Sequence, residues 1–504
     1  MAEPFYITTA ISYPNGPPHI GHAYEAIAAD VIARFQRAQG RDVRLVTGTD
    51  EHGLKMVQTA RAQGRDTLEF ADEMSHYFRE MCAKLNIEYD DFVRTSEPRH
   101  HQASVTLWKA MEAAGDLYLD RYEGWYSVRD EAFYDDSELV AGEEGEKLSP
   151  QGTPVEWTAE ETWFFRLSRY QDRLLALYRD NPGFVRPETR RNEVVRFVEG
   201  GLKDLSVSRT SFDWGVPVPG SPGHVMYVWV DALTTYMTGA GFPDDRQLYE
   251  RYWPADVHLI GKDIVRFHTV YWPAFLMSAN LPLPKQVYGH GFLLSRGEKM
   301  SKSLGNVVDP MELAERFGVD ALRYFLMREV SFGQDGSYSA EAIVARVNAE
   351  LANSFGNLAQ RTLSMVFKNL GGVIPAPGDT PEDRTLLETV AKGCEELTER
   401  FAQMAFSTGL EAWMGAVFAC NAYVDLAAPW ALRKTDPARM AAVLGTLVAA
   451  VRRLTVAVAP VIPQAADKLL RLIDAGEGGV PIAQPQPLFP RLEPPEEGGE
   501  EAAE

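Results

Sequence analysis

Residues 5–53 read FYITTAISYPNGPPHIGHAYEAIAADVIARFQRAQGRDVRLVTGTDEHG, and the spacing of their apolar side chains changes twice. Phe5, Ile7, Thr9 and Ile11 recur at every second position, the signature of a strand with one buried face. A loop dense in breakers follows, Ser12-Tyr13-Pro14-Asn15-Gly16-Pro17-Pro18. From Gly21 the period lengthens to that of a helix: Tyr24, Ala28, Val31, Ile32 and Phe35 share one side, and Gly40 stops it. Val43-Arg44-Leu45-Val46 then reads as a buried strand ending in the polar run Thr47-Gly48-Thr49-Asp50-Glu51-His52-Gly53. Strand, helix, strand in this order predicts a βαβ unit with parallel pairing. Ligands in such sheets sit beyond the carboxyl ends of strands, where both polar loops fall.

Further along, the rhythm is interrupted. From Asp116 to Gly223 the chain is rich in Tyr, Trp and Arg with short turn-bounded runs, which predicts an inserted domain. The βα alternation returns with a strand at Val257-His258-Leu259-Ile260, a helix from Asp263 to Ala279 and a strand over 287–294 that runs into the polar loop 295–306. Asp309-Pro310-x-Glu312 is a helix start with cap, first-position proline and reaching glutamate. From Ser339 strand signals vanish. Ile343, Val347, Leu351, Phe355 and Leu358 begin a long amphipathic helix ended by Gly371-Gly372, and helical segments from Pro381 to Asp474 complete a bundle. The Gly/Pro/Glu-rich end reads as disordered. The expected fold class is α/β, a Rossmann-type parallel sheet split by a connective insertion and followed by a C-terminal α-helical bundle. The expected divisions are 1–115, 116–223, 224–294, 295–338, 339–474 and an acidic tail, 475–504.

Composition narrows the class. With 504 residues, 45% apolar and 24% charged, the chain is of the soluble globular type and long enough for several domains. The most apolar stretch, Met440 to Pro463, is broken by Arg452-Arg453, so no membrane partner is expected. MAEPFYITTA lacks the basic and apolar regions of a signal peptide, and Cys82, Cys394 and Cys420 are scattered without any CxxC. A cytoplasmic location is therefore expected. The net charge of −21 argues at first against a nucleic-acid partner. Eight acids and a single base fall in residues 474–504, however, and RNA binding depends on local basic patches and stacking residues, not on the total.

Two segments carry the chemistry. Pro17-Pro18-His19-Ile20-Gly21-His22 lies on the turn into the first helix, where unbonded backbone N–H groups and the positive end of the helix dipole favour a phosphate. Gly21 allows close backbone approach, and the imidazoles of His19 and His22 can donate to phosphate oxygens. Lys299-Met300-Ser301-Lys302-Ser303, between Gly297 and Gly305, sets two ammonium groups and two hydroxyls on one loop, suited to gripping a polyphosphate. Though far apart in sequence, both segments follow strands of one expected sheet and can meet over one nucleotide.

Together they resemble the paired signature of the class I aminoacyl-tRNA synthetases. Residues 9–16 (TAISYPNG), 49–53 (TDEHG), 228–232 (VWVDA) and 261–268 (GKDIVRFH) are similar to the methionyl-tRNA synthetase family, and the likeness runs over roughly residues 4–470. The resemblance implies ATP-dependent attachment of L-methionine to its cognate tRNA through methionyl-adenylate, with release of diphosphate and AMP. It assigns His19, Gly21, His22, Lys299, Ser301 and Lys302 to ATP, with His19, His22, Lys299 and Lys302 as the catalytic set and Mg²⁺ assisting. It assigns Ala10, Ile11, Tyr13, Asp50, Trp229, Ala232, Leu233, Tyr236, Ile264 and His268 to methionine. Asp50 would offer a charge to the substrate ammonium, and Tyr13, Trp229 and Ile264 a polarisable wall to the thioether. Asn357-Leu358-Ala359-Gln360-Arg361 and Ala428-Pro429-Trp430 resemble the family's anticodon reader. Trp430 would stack on a base, with Asn357 and Arg361 reading the edges of the CAU anticodon of tRNA(Met). By the same resemblance 1–115 and 224–294 are halves of the catalytic domain, 295–338 the lysine-loop and stem-contact region, and 339–474 the anticodon-binding domain.

Many relatives bind zinc through cysteines in the insertion. Here Tyr122 to Thr162 contains neither Cys nor His, so no metal site and no structural zinc are expected. The insertion is expected to rest on Trp125, Tyr126, Phe133, Tyr134, Trp157 and Trp163. Some relatives carry a further C-terminal tRNA-binding and dimerisation module; without it a monomer is expected. Taken singly, the residues also have plainer readings: His19, His22 and the lysines as a solvated loop, Trp229 and Ile264 as core, Trp430 as bundle packing, Asn357 and Arg361 as a helix edge. His100-His101 and Asp90-Asp91 read as surface, Trp108 and Trp214 as packing. Two other classes stay open: a nucleotidyltransferase acting on a small molecule, against which the helical region argues, and a non-catalytic RNA-binding relative, against which the intact loops argue.

Overall fold

The computed structural model describes residues 2–130, 132–142, 145–295, 297–299, 307–477 and 479–493. The chain forms two compact units: Met1–Pro18, Gln36–Ala83 and Ile87–His290 make one, and His19–Phe35, Lys84–Asn86 and Gly291–Glu504 the other.

The first unit is built on a six-stranded sheet in the order Asp91–Arg94, Asp42–Thr49, Pro4–Thr9, Val257–Gly261, Val287–His290, Val185–Arg186. Every pairing is parallel, with Ile7 in register with both Leu45 and Val257. Tyr6, Ile7, Leu45, Leu259 and Ile260 are buried, as strands covered on both faces require. The chain leaves Pro4–Thr9 toward one edge and Val257–Gly261 toward the other, so the carboxyl ends of these two neighbours flank the switch point. The sixth strand, Val185–Arg186, comes from inside the insertion, and so short a run carries no periodicity to announce it.

The rest of the insertion includes the helices Gln171–Asp180 and Glu188–Glu199 and an antiparallel sheet in the order Leu205–Ser206, Glu156–Phe165, Leu117–Ser127, Ala132–Tyr134. Trp125 sits opposite Trp157 and Tyr126 opposite Phe133, with ring centroids 5.3 and 4.8 Å apart. The aromatics named from sequence do pack, yet they share the role with polar and charged groups. The Asp130 carboxylate accepts hydrogen bonds from Tyr134, Ser149 and Thr153 (3.0, 2.7 and 2.5 Å). The buried Arg209 guanidinium lies 4.2 Å from the Phe133 ring centroid and 4.6 Å from that of Tyr227.

Two expected elements divide. The segment after Gly261 is a short turn of helix at Lys262–Ile264, a wide π turn at Phe267–Tyr271 and an α-helix at Trp272–Ser278. The strand expected over 287–294 is two: Val287–His290 in the parallel sheet, and Leu293–Ser295 pairing with Glu298–Lys299 and Gly336–Tyr338. Gly291 stands at the break, where a Cβ would come within 2.2 Å of the Gln334 carbonyl carbon.

The second unit is mostly helical. Asp309 caps Pro310–Phe317 by accepting the Met311 N–H (2.7 Å), as its sequence predicts. Ala340–Arg346, the π-helical Val347–Gly356 and Asn357–Asn369 form one continuous run, followed by Pro381–Ala402, Phe406–Ala427, Pro437–Val458 and Pro463–Glu477. Pro437–Val458 has the length and hydropathy of a membrane span, yet its Val443, Leu444, Leu447, Val451 and Leu454 are buried in the bundle. Arg323 is wholly buried: it pairs with Asp30 (2.5 Å) and donates to the carbonyls of Leu85, Asn86, Pro460 and Val461. The segment 479–493, expected to be part of a disordered tail, lies against the bundle. Ile482 is buried and its N–H donates to Gly372 O, Leu492 N–H donates to Asn348 Oδ1, and Gln360 donates to Pro485 O. Its Pro- and Gly-rich composition hides a few well-spaced apolar side chains that suffice to hold it down.

Candidate active site

In the first unit, backbone bonds tie the loop after Pro4–Thr9 to the two neighbouring strands and to the loop after Asp42–Thr49. Ala10 N–H donates to Leu259 O (3.0 Å), Ser12 N–H to Gly48 O (2.9 Å) and Asp50 N–H to Ser12 O (2.9 Å). Asp50 is thereby held as a buried carboxylate beside the switch point. Opposite, the helix Val228–Thr238 and the π turn bring together Trp229, Tyr236 and His268. The Trp229 indole stacks on Phe267 (3.9 Å between centroids, 6° between planes) and meets His268 edge-on. A carbonyl only accepts, so His268 Nδ1, 2.9 Å from Ile264 O, carries the ring proton; Nε2 then accepts the Tyr236 hydroxyl at 2.6 Å. Burial, opposed in part by that carbonyl bond, pushes the His268 pKa down to about 4, so the ring is neutral at pH 7.

Ala232 and Leu233 are buried on the same helix, and half-buried Ala10, Trp229 and Ile264 pack on the core that contains Leu233 and Tyr236. Ile11 is half-buried in its loop. Tyr13 turns elsewhere: its hydroxyl accepts the Met56 N–H (3.2 Å), the Lys55 ammonium lies 5.4 Å from its ring, and it packs on a separate cluster of Met56, Ala60 and Phe70.

The second unit holds the histidine signature. The His19 and His22 rings stack at 3.9 Å. Gly21 N–H donates to His19 Nδ1 and His19 N–H to His22 Nδ1, each at 3.1 Å. An Nδ1 that accepts from the backbone leaves Nε2 as the protonated nitrogen, so both rings present an N–H donor. Ile20 N–H donates to Val308 O (3.0 Å), which ties this turn to the residue pair that follows the lysine loop. Lys299 pairs through its backbone with Leu294; Ser301 and Lys302 lie outside the described residues.

In the bundle, Asn357 and Arg361 lie one turn apart on Asn357–Asn369, with Asn357 exposed. The Arg361 guanidinium is 5.7 Å from the Trp430 ring centroid and 3.6 Å from Asp425. Trp430 is 51% exposed, at the start of a helix entered through left-handed Ala428. An indole left that open has ring surface available for stacking.

One buried group went unread in the sequence. Asp231, in the first turn of Val228–Thr238, lies 2.5 Å from His52 Nδ1 and 2.5 Å from His100 Nε2. His100, expected at the surface, is buried, and Trp214, which packs on the cluster of Met56, Ala60 and Phe70 as expected, also donates to Glu51 O at 2.6 Å. The available signal was a lone carboxylate inside the apolar run Val228-Trp229-Val230-Asp231-Ala232-Leu233, because a buried charge demands partners.

A family model described as class I tRNA synthetases (M) matches residues 5–363. The methionine–tRNA ligase of Brucella melitensis is 57% identical, covering 97% of this chain and 98% of the relative; that of Mycobacterium tuberculosis is 54% identical, covering 98% and 99%. The solved Mycobacterium tuberculosis methionyl-tRNA synthetase in complex with methionyl-adenylate superposes with a TM-score of 0.94 at 55% identity, covering 97% of this chain and 100% of that one. Fold and sequence together define a class I aminoacyl-tRNA synthetase. A second model, the anticodon binding domain of methionyl tRNA ligase, matches residues 374–488. The chain belongs to the methionine–tRNA ligase family.

Proposed function

We propose that the chain joins L-methionine to its cognate tRNA in two steps. A methionine carboxylate oxygen bonds to the α-phosphorus of ATP as the bond to the β-phosphate oxygen breaks, giving methionyl-adenylate and diphosphate. A ribose hydroxyl at the tRNA 3′ end then takes the acyl group and AMP leaves. The observation that carries the reading is the imidazole turn, tied by Ile20 N–H to Val308 O beside the lysine loop and presenting two fixed Nε2 donors.

His19 and His22 would grip the triphosphate, and Lys299 and Lys302 would neutralise the departing diphosphate. The first step leaves little covalent chemistry to side chains, so positioning and charge stabilisation dominate. The N–H groups of His19 and His22 and the ammonium groups of Lys299 and Lys302 are donors, not ligands for a hard cation. Mg²⁺ would therefore be carried by the phosphate oxygens, where it supplies further charge neutralisation. Asp50 would take the methionine ammonium, with Trp229, Ile264, Ala232, Leu233, Tyr236 and His268 receiving the side chain. The contact of Tyr13 with Met56 favours a place for it at the rim. Ala10 and Ile11 would border the same pocket. Asn357, Arg361 and Trp430 would read the CAU anticodon from the bundle of 339–474. The reading extends to a zinc-free insertion over 116–223 and to a cytoplasmic monomer.

The test is ATP–diphosphate exchange measured with each of the twenty amino acids. Exchange dependent on methionine alone is the expected result; dependence on another amino acid, or none, overturns the reading.

A further inference from the structure

We infer that Asp231 is a positioning residue for methionine: through His52 and His100 it holds the loop bearing the ammonium-binding carboxylate in register with the wall that receives the side chain. The inference rests on the methionine-activating function proposed above and names a residue that does not itself touch substrate.

Asp231 has no solvent exposure and sits on the helix that carries Trp229, Ala232, Leu233 and Tyr236. Its two oxygens are divided between two elements. Oδ2 faces His52 Nδ1, two residues after Asp50 in the loop that turns at Gly53, whose φ of 98° favours glycine. Oδ1 faces His100 Nε2 on the helix Pro98–Ala113, and His100 Nδ1 returns to Thr238 Oγ1 (2.9 Å) at the far end of Asp231's own helix. The loop itself is clamped on its other side. Glu51 takes two bonds from Arg94 (2.7 and 3.1 Å), its N–H donates to Thr95 Oγ1 (2.8 Å), and its carbonyl accepts the Trp214 N–H. Asp50 thus stands on a loop that Arg94, Thr95 and Trp214 hold in place and that the His52–Asp231 bond joins to the thioether wall.

Methionine is short, so its ammonium and its thioether must meet both sides at once. A shifted loop weakens the bond of Asp50 to the ammonium, and a hydrogen bond to a charged group is worth about 10- to 100-fold in affinity. Burial would push the Asp231 carboxyl up, but the His52 charge and the bonds from both imidazoles outweigh it and hold the carboxyl well below the usual carboxylate range. The carboxylate is therefore ionised and already satisfied, and it leaves the substrate ammonium to Asp50.

The experiment is methionine-dependent ATP–diphosphate exchange by the full chain, comparing wild type with Asp231→Asn and His100→Gln. The isosteric Asn keeps the shape but can accept from only one imidazole through its single carbonyl oxygen. Asp231→Asn should raise the KM for methionine about 10- to 100-fold while the KM for ATP stays within about twofold; His100→Gln should shift it the same way by less. A methionine KM unchanged in the folded variants, or a loss confined to kcat, overturns the inference. If Asp231→Asn does not fold, His100→Gln decides by the same split. A wild-type chain without methionine-dependent exchange would overturn the proposed function and this inference with it, whereas an active wild type with unchanged variants overturns this inference alone.

Discussion

Gly21 is glycine because of its neighbour. A Cβ there would lie 2.8 Å from His19 Cε1, and the ring could no longer fold back to accept the Gly21 N–H. Gly21→Ala is expected to slow adenylate formation about 10- to 100-fold, or about 1.4–2.8 kcal/mol, with methionine affinity kept; single-turnover exchange measures it. His268 yields a second prediction at this scale. With its pKa pushed down to about 4 by burial, the folded protein binds this proton less readily than the unfolded chain. Its contribution is complete above about pH 6.5 and falls as the pH drops below, amounting to about 2 kcal/mol lost between pH 7 and 5. Burial also lowers the pKa values of His258 and His101, which add in the same sense. Urea midpoints should fall more steeply with acidification in wild type than in His268→Gln; equal slopes would reject the account.

At the scale of elements, local periodicity named the parts but not their joints. The helix after Gly261 was legible, whereas the π turn at Phe267–Tyr271 was not, because one extra residue per turn leaves no mark on an apolar pattern. That turn lets adjacent Phe267 and His268 meet Trp229 from two directions. In the insertion the aromatic ladder was readable, but the bonds that Ser149 and Thr153 give to Asp130 depend on loop closure. The corner between Phe406–Ala427 and Pro429–Thr435 carries a third prediction. Trp430→Ala should cut tRNA aminoacylation by the equivalent of about 1–3 kcal/mol while exchange stays near wild type. Parallel loss of both would show that Trp430 acts through bundle stability.

At the scale of the whole molecule, the −21 charge and the buried ion pairs act differently. Under the function proposed above, the net charge should confine RNA contact to limited surfaces and weaken nonspecific binding. Within the second unit, Arg323 and Asp30, both with no exposure, join the early segment His19–Phe35 to residues 460–461 near the chain's far end. Arg323→Met removes one of the two guanidinium groups that pair with the buried Asp30 carboxylate, leaving Arg34, and should destabilise this unit by about 3–5 kcal/mol. Adding Asp30→Asn should recover part of the loss, because the less compensated buried charge is then gone. Calorimetry of both variants checks this.

The sequence by itself determined the βαβ start, the helical bundle and the family, because these rest on local periodicity and on short runs of distinctive side chains. The assignment of His19–Phe35 to the unit of the lysine loop came only from the tertiary structure, as did the burial of His100 against Asp231, the sixth strand at Val185–Arg186 and the anchoring of 479–493. Each of these depends on contacts between residues distant in the chain. A sequence shows which side chains can be buried; only the fold settles which partner satisfies a charge once water is gone.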